Sequence, residues 1–540
     1  MKNTLFITTL LCSTLLFSQN DKTTTTLKFE EVFGYLESNY VDEFDGASIT
    51  DAAIVAMLKE LDPHTYMIAA EDVSASNDRI NGSFVGVGIQ FRIVDDTLSV
   101  VNTIQGGPCE QIGVKAGDKI VEVDGENIAG IGLKNTGVRE RLLGEKNSLV
   151  VLGIKRKGEK ELLEFDVRRD KIPLYSVAAS YMATKETGYI KVTNFARTTP
   201  TELRAAILDL QDQGMKNLIL DLQGNGGGLL HVAKYMADEF LTDDKLIVYS
   251  EGRSQPRRDL IANDMDSRGR FYHKKKRGSF EKGKLVVLID ESSASASEIV
   301  SGALQDWDRA LIIGRRSFGK GLVQRPYKLS DGSELRVTIA RYYTPSGRFI
   351  QKPYEDGVEA YRNDYVTRFE NGELMHEDSI KFPDSLKFKT LLLERDVYGG
   401  GGIMPDIFVP LDTSELSPMY RAISRKGVIN TFTFSFVDKN REQLKAKYKD
   451  FEDFEKDFAI EGAVIDEFWT ACKDEEIEFS DEDYQTSKKL LHTLIKARIA
   501  ANLYETSKFY PIYNKAENEI FIKGLEIIEG KTLDELGMDY

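Results

Sequence analysis

Leu285-Val286-Val287-Leu288-Ile289-Asp290-Glu291-Ser292-Ser293-Ala294-Ser295-Ala296-Ser297-Glu298 decides the fold. Leu285 to Asp290 is an apolar run closed by a carboxylate, as in a strand buried on both faces. The small residues after it form a turn that runs into a helix. Strand, tight turn and helix in series are the repeating unit of an α/β core. The unit recurs upstream. Asn217 to Leu222 reads as a buried strand, Gly224-Asn225-Gly226-Gly227-Gly228 as its turn, and Leu229 to Leu241 as its helix. Gly188 to Phe195 is a further strand and Thr201 to Gln211 a further helix. In such cores sites form at the carboxyl ends of strands. The glycine cluster and Ser295 both lie at such ends.

Downstream stands Phe318-Gly319-Lys320-Gly321-Leu322-Val323-Gln324. A serine hydroxyl is a poor nucleophile until something takes its proton. A lysine can take it when desolvation keeps the amine neutral near pH 7. Moving a lysine pKa from about 10.4 to about 7–8 means destabilising the cation by roughly 3–4 kcal/mol. A glycine-tight, apolar setting supplies that, so the two segments together suggest a serine/lysine hydrolase.

The whole chain sets the bounds. Its 540 residues suffice for three or four domains. Hydrophobic residues make up 41%, enough for sizeable cores, and the formal net charge is −16. That charge argues against nucleic acid or an anionic membrane surface as main partner. Lys2 followed by the apolar stretch Leu5–Phe17 reads as a signal peptide over 1–19, too short to span a bilayer. The chain is therefore expected to be exported. The cysteines are Cys12, Cys109 and Cys472, which is no disulfide framework, and the five histidines show no metal-binding spacing. No metal and no cofactor are expected.

Composition divides the rest. Residues 20–81 read as an N-terminal helical region, with an amphipathic helix over Leu27–Tyr40 and a second over Asp51–Leu61. Residues 82–171 are β-rich. Phe84-Val85-Gly86-Val87-Gly88-Ile89-Gln90-Phe91 is a glycine loop entering a strand, and Gly117-Asp118-Lys119-Ile120-Val121-Glu122-Val123-Asp124-Gly125 a strand closed by a tight turn. Backbone N–H groups in such a loop capture a carboxylate, and the strand edge accepts an added peptide strand. The block resembles a PDZ domain of the bacterial protease type, with Gly86, Val87, Gly88 and Ile89 as substrate-binding residues. Residues 172–414 are the α/β core. Within it, 251–284 is an insertion rich in Arg and Lys, read as a solvated loop or, more sharply, as a cleft rim that attracts a carboxylate. Residues 415–540 form a helical domain, with Phe451, Phe454 and Phe458, and Leu491, Leu494, Ile495 and Ile499, at helical spacing. Packing or assembly is its expected role.

Taken in order, these motifs resemble the C-terminal processing peptidases, also called tail-specific proteases. Leu61-Asp62-Pro63-His64-Thr65, the PDZ-like block, Asp221–Leu230, the Ser293–Glu298 run and Phe318–Gln324 carry the likeness. Arg341-Tyr342-Tyr343-Thr344-Pro345-Ser346-Gly347-Arg348 and Gly400-Gly401-Gly402-Ile403-Met404-Pro405-Asp406 continue it. The resemblance implies a ClpP/crotonase-like α/β protease core with an inserted PDZ-like domain. It implies Ser295 as nucleophile, Lys320 as general base and Gln324 as the residue that orients the lysine. The oxyanion hole would use the backbone N–H groups of Gly228 and Ala296, at a helix start suited to it. Ser293 and Ser297 compete as nucleophiles, with turn and cap chemistry as their alternative. Arg169 matches a position that couples peptide binding to the active site. One departure stands out: Gly226 occupies a position where the family usually has Pro or Ser. His231 invites a Ser–His reading but has no evident acid partner. The glycine turn lacks the last glycine of a nucleotide-binding fingerprint. The resemblance thus implies a serine endopeptidase of the periplasm or cell envelope that cuts near flexible C-terminal tails. A non-catalytic PDZ-containing adaptor or chaperone is the alternative, and a hydrophobic-ligand carrier a third reading. Peripheral envelope association and homo-oligomerisation stay open.

Overall fold

The computed structural model describes residues 24–104, 106–242, 244–262, 278–538 and 540. The signal segment 1–19 and the centre of the basic insertion, 263–277, lie outside the described residues. The chain divides into a unit ending at Met67 and a second beginning at Ile68. In the first, residues 24–39 and Gly46–Lys59 are helical. Asp45 caps the second helix, accepting from the amides of Ala47 (3.0 Å) and Ser48 (3.3 Å). The predicted apolar face of the first helix is half-buried at Phe33 and Leu36 and exposed at Phe29 and Val32.

The second unit is organised by a six-stranded sheet. Its strands run in chain order across the sheet. They are β1 (Val177–Met182), β2 (Thr187–Val192), β3 (Asn217–Asp221), β4 (Leu285–Ile289), β5 (Leu311–Gly314) and β6 (Ile407–Phe408). β1 is antiparallel to β2, and every later neighbour is parallel. The apolar runs follow from burial on both faces. Leu218, Leu220, Leu285, Val287 and Ile289 pack under helices α1 (Thr199–Asp212), α2 (Leu230–Asp238) and α3 (Ala296–Asp306). The alternating residues Ile219, Val286, Leu288, Leu311 and Ile313 meet Ile520, Phe521, Ile527 and Ile528 of helix α4 (Glu519–Glu529). The end of the chain therefore closes the second face of the sheet. Each such side chain contributes roughly 1.5–3 kcal/mol by leaving water.

Residues 83–173 form a separate β layer. Strands Ile89–Val94, Thr97–Thr103, Lys119–Val123, Leu149–Lys155 and Leu163–Arg168 pair antiparallel in that order over one apolar core. Asp124 (φ 51°) and Gly125 (φ 79°) make a turn with both central residues left-handed. This conformation favours Asp-Gly and explains the tight turn read from sequence. Ser83–Gly86 pairs with Asp170–Pro173, so the chain enters and leaves this layer side by side. Residues Gln255–Ile261, read as part of a basic loop, instead form a strand antiparallel to Leu246–Gly252.

Candidate active site

Three segments converge at the carboxyl ends of β3 and β4. The glycine turn after β3 is fixed first. Gly224 donates its N–H to both carboxylate oxygens of Asp290 (2.9 Å each). The Asn225 side chain donates to Val192 O (3.0 Å) and accepts from the Gly227 amide (2.9 Å). The Asn225 carbonyl accepts from the Ala294 amide (3.0 Å) and the Ser297 hydroxyl (2.8 Å). Turn and serine segment are thus stapled together.

The three serines separate by what their hydroxyls do. Ser293 and Ser297 are fully buried. Ser293 Oγ donates to Leu222 O (2.8 Å), and Ser297 Oγ to Asn225 O. Both carry the turn chemistry that was the alternative to attack. Ser295 is only half-buried and sits at the start of α3 in a left-handed conformation, φ 56° and ψ −111°. Such strain in a non-glycine residue persists only when neighbours over-determine it, and it clusters at functional sites. Ala296 is the first residue of α3, so its N–H has no acceptor within the helix.

The lysine loop docks against this turn. Lys320 Nζ donates to Gln324 Oε1 (2.8 Å). The buried Glu298 carboxylate joins loop and turn. Its Oε2 accepts from the amides of Ser295 (2.7 Å) and Lys320 (2.9 Å), and its Oε1 from Gly319 N (2.7 Å) and Ser317 Oγ (2.6 Å). Burial pushes the Glu298 carboxyl up from its usual range, while these four donors pull it back. Sequence reasoning quoted Glu298 without giving it a role, because a glutamate in a first helical turn reads as a cap. A second lysine, Lys352, lies behind the loop. Its Nζ is held by Asp364 (2.8 Å) and by the rings of Phe318 (4.0 Å) and Tyr361 (4.2 Å).

Glycine geometry distinguishes two neighbours. A Cβ on Gly227 (φ 96°) would fall 2.7 Å from Ala294 O and 2.8 Å from Ser295 Cβ. A Cβ on Gly226 would meet nothing within 4 Å. Gly227→Ala is therefore expected to cut turnover by about 10²-fold through displacement of the serine. Gly226→Ala is expected to leave turnover within about 2-fold, the surface norm. Steady-state cleavage by the two variants checks the pair.

His231 does not form a triad. Its ring meets Tyr235 edge-on (6.3 Å). Burial, and then the Arg197 charge, lower its pKa. That neighbour is a cation rather than an orienting carboxylate.

A cavity of about 300 Å³ opens on the β layer. Val87, Gly88 and Ile89 line it, with Val138 and Leu142 of helix Asn135–Leu142 opposite. Gly86 ends the preceding strand beside it. Ala75, Asp78 and Arg79 from helix Ala70–Asn81 line the same cavity, which sequence reasoning missed. Arg169 stays within this layer. It donates to Arg141 O (2.7 Å), Leu142 O (3.2 Å) and Leu149 O (3.1 Å), fixing the end of the groove helix. Glu298 thus joins the main chain of Ser295 to that of Lys320, whose side chain meets Gln324, beside the glycine turn; Val87, Gly88 and Ile89 line a separate cavity, and Arg169 holds the end of its helix without lining it.

A peptidase family S41 model matches residues 186–360 and a PDZ domain model residues 85–167. A carboxy-terminal-processing protease from Bartonella bacilliformis is 38% identical over 329 residues, covering 60% of this chain and 72% of that one. The chain belongs to peptidase family S41, among the carboxy-terminal-processing proteases. A probable CtpA-like serine protease from Staphylococcus aureus strain N315 is 33% identical over 327 residues. That alignment covers 60% of this S41 chain and 62% of the relative, less than two thirds of its length. The solved photosystem II D1 C-terminal processing protease is 30% identical, covering 59% of this chain and 82% of its own, with a TM-score of 0.33. Outside the S41 and PDZ matches, residues 419–505 match a family of unknown function (DUF8443).

Proposed function

We propose that the protein is an exported serine endopeptidase that cuts polypeptides near unstructured C-terminal tails through Ser295 and Lys320. One observation carries the reading. Of three hydroxyls in the serine motif, two are tied to main-chain carbonyls, and Ser295 is left beside the glycine turn with its amide joined to that of Lys320 through Glu298. Neutral Lys320, oriented by Gln324, takes the Ser295 proton as Oγ attacks the scissile carbonyl. The resulting oxyanion is met by the N–H groups of Gly228 and Ala296. Lysinium returns the proton to the leaving amine, and water attacks the acyl-enzyme by the reverse sequence. The sheet with helices on both faces supports a ClpP/crotonase-like core over 172–414, and the pattern of residues 1–19 supports export to the periplasm or envelope. Residues 82–171 bind the tail, with Gly86 to Ile89 receiving its carboxylate and Arg169 relaying occupancy through the groove helix.

Tail recognition has its own test. An unfolded protein ending in apolar residues with a free carboxylate is expected to be cut about 10-fold faster than the same protein amidated at its C-terminus. That ratio corresponds to loss of one charge-assisted contact, about 1.4 kcal/mol. Equal rates would remove the tail from the reading. Tight binding of the free tail with no cleavage of either substrate would favour the adaptor.

A further inference from the structure

Glu298 holds the amide ends of Ser295 and Lys320, and one other side chain meets their carbonyl ends. Tyr342 lies on strand Glu334–Tyr343 and is 1% exposed. Its own amide donates to Gly321 O (2.9 Å), which sets the strand against the lysine turn. Its hydroxyl faces Ser295 O (3.1 Å) and Lys320 O. The Ser295 carbonyl also accepts from the amides of Glu298 (2.9 Å) and Ile299 (3.0 Å), as expected at a helix start.

We propose that Tyr342 is a positioning residue for the dyad, its hydroxyl bridging the carbonyls of Ser295 and Lys320 and so setting the separation of nucleophile and base. Together, Tyr342 and Glu298 form a two-sided clamp. One phenol holds both carbonyls and one carboxylate holds both amides, so the peptide units on either side of Ser295 and of Lys320 are each tied down. The clamp also explains how Ser295 keeps its left-handed conformation, which an unsupported residue would relax at a gain of about 1–3 kcal/mol. A phenol has a single proton, which the two carbonyls share. The phenol remains a donor at neutral pH, because burial and then the Glu298 carboxylate raise its pKa well above the usual tyrosine value. Tyr342 does not touch the reacting atoms. Its effect runs through the placement of Ser295 and Lys320.

The inference rests on the peptidase reading, and the test separates the two. Tyr342→Phe keeps the ring and removes the bridge. Steady-state cleavage of a peptide is measured with the full chain, with competent sites counted from the acyl-enzyme burst. The rate of Ser295 labelling by a fluorophosphonate is measured alongside. Expected are a kcat per competent site lowered about 10- to 10²-fold, an equal drop in labelling rate, and KM within about 2-fold, since misplacement of about 1 Å costs on that order. Unchanged kcat per site with unchanged labelling would overturn the proposal, and so would a loss explained by fewer competent sites alone. Should the parent chain cut nothing, the peptidase reading fails, while the labelling ratio still decides the role of Tyr342.

Discussion

Ser295→Ala and Lys320→Ala are each expected to lower turnover of an unfolded protein at least about 10⁴-fold, and the double variant is expected to lose little more. Residues that act as one unit show this non-additivity, because removing either partner removes the acyl-enzyme route as a whole. Ser295→Ala deletes the attacking oxygen. On the proposed mechanism Lys320→Ala deletes the group that takes its proton, and it removes the Nζ that donates to Gln324 Oε1 at 2.8 Å. Both changes are half-buried truncations away from the main cores, so thermal unfolding should move by no more than about 1 kcal/mol in stability. Ser293→Ala and Ser297→Ala invert the pattern. Each is expected to lose buried hydrogen bonding and about 1–3 kcal/mol of stability, yet to retain the burst of acyl-enzyme. Rapid-quench cleavage with unfolding curves on the four single variants and the double variant checks the contrast.

Glu298→Ala carries the next largest effect, a fall of about 10³-fold in kcat with a marked loss of stability. Its carboxylate accepts four hydrogen bonds, and a buried donor left unpaired costs about 1–3 kcal/mol. Glu298→Gln should fall between. A glutamine oxygen can keep the Ser295 and Lys320 amides, while its NH₂ group turns toward the Ser317 hydroxyl, which already accepts from the Ile403 amide (2.7 Å). The Gly319 amide and the Ser317 hydroxyl proton, which both donate to Glu298 Oε1 in the parent, then lose that acceptor. About 10-fold to 10²-fold in kcat is the expected cost for that variant. Equal activity in Glu298→Ala and the parent would show that the lysine loop holds its position without the carboxylate.

The core was legible because its signal is local. Leu285–Ile289 is five apolar residues without interruption, and a strand of that kind needs cover on both sides. The turn at Asp124-Gly125 was legible for a similar reason, since few other pairs adopt two left-handed residues in succession. What supplies the cover on the second face was not legible. Ile520, Phe521, Ile527 and Ile528 lie in the region read only as a helical domain, and nothing local says that they meet Val286 and Leu288. The clamp escaped for the same cause. Glu298 and Tyr342 acquire their roles only when α3, the lysine loop and strand Glu334–Tyr343 are brought together. Helix Ala70–Asn81 was not singled out within the helical region 20–81 because it is mostly polar and has no fully buried residue, so no stripe marks it, although it lines the cavity on the β layer. Competition among the three serines was legible as a question. The acceptors Leu222 O and Asn225 O, which engage Ser293 and Ser297, come from β3's end and the turn after it, so their part was out of reach of the local sequence.

One measurement bears most directly on the dyad. The full chain is exposed to a serine-directed fluorophosphonate, and the labelled site is mapped by peptide mass, in the parent and in Lys320→Ala. A single label on Ser295 is expected in the parent, with labelling slowed at least about 10²-fold in Lys320→Ala, since a positioned base contributes about 10²–10⁴-fold. A label on Ser293 or Ser297, or a Ser295 labelling rate indifferent to Lys320, would contradict the Ser295–Lys320 mechanism.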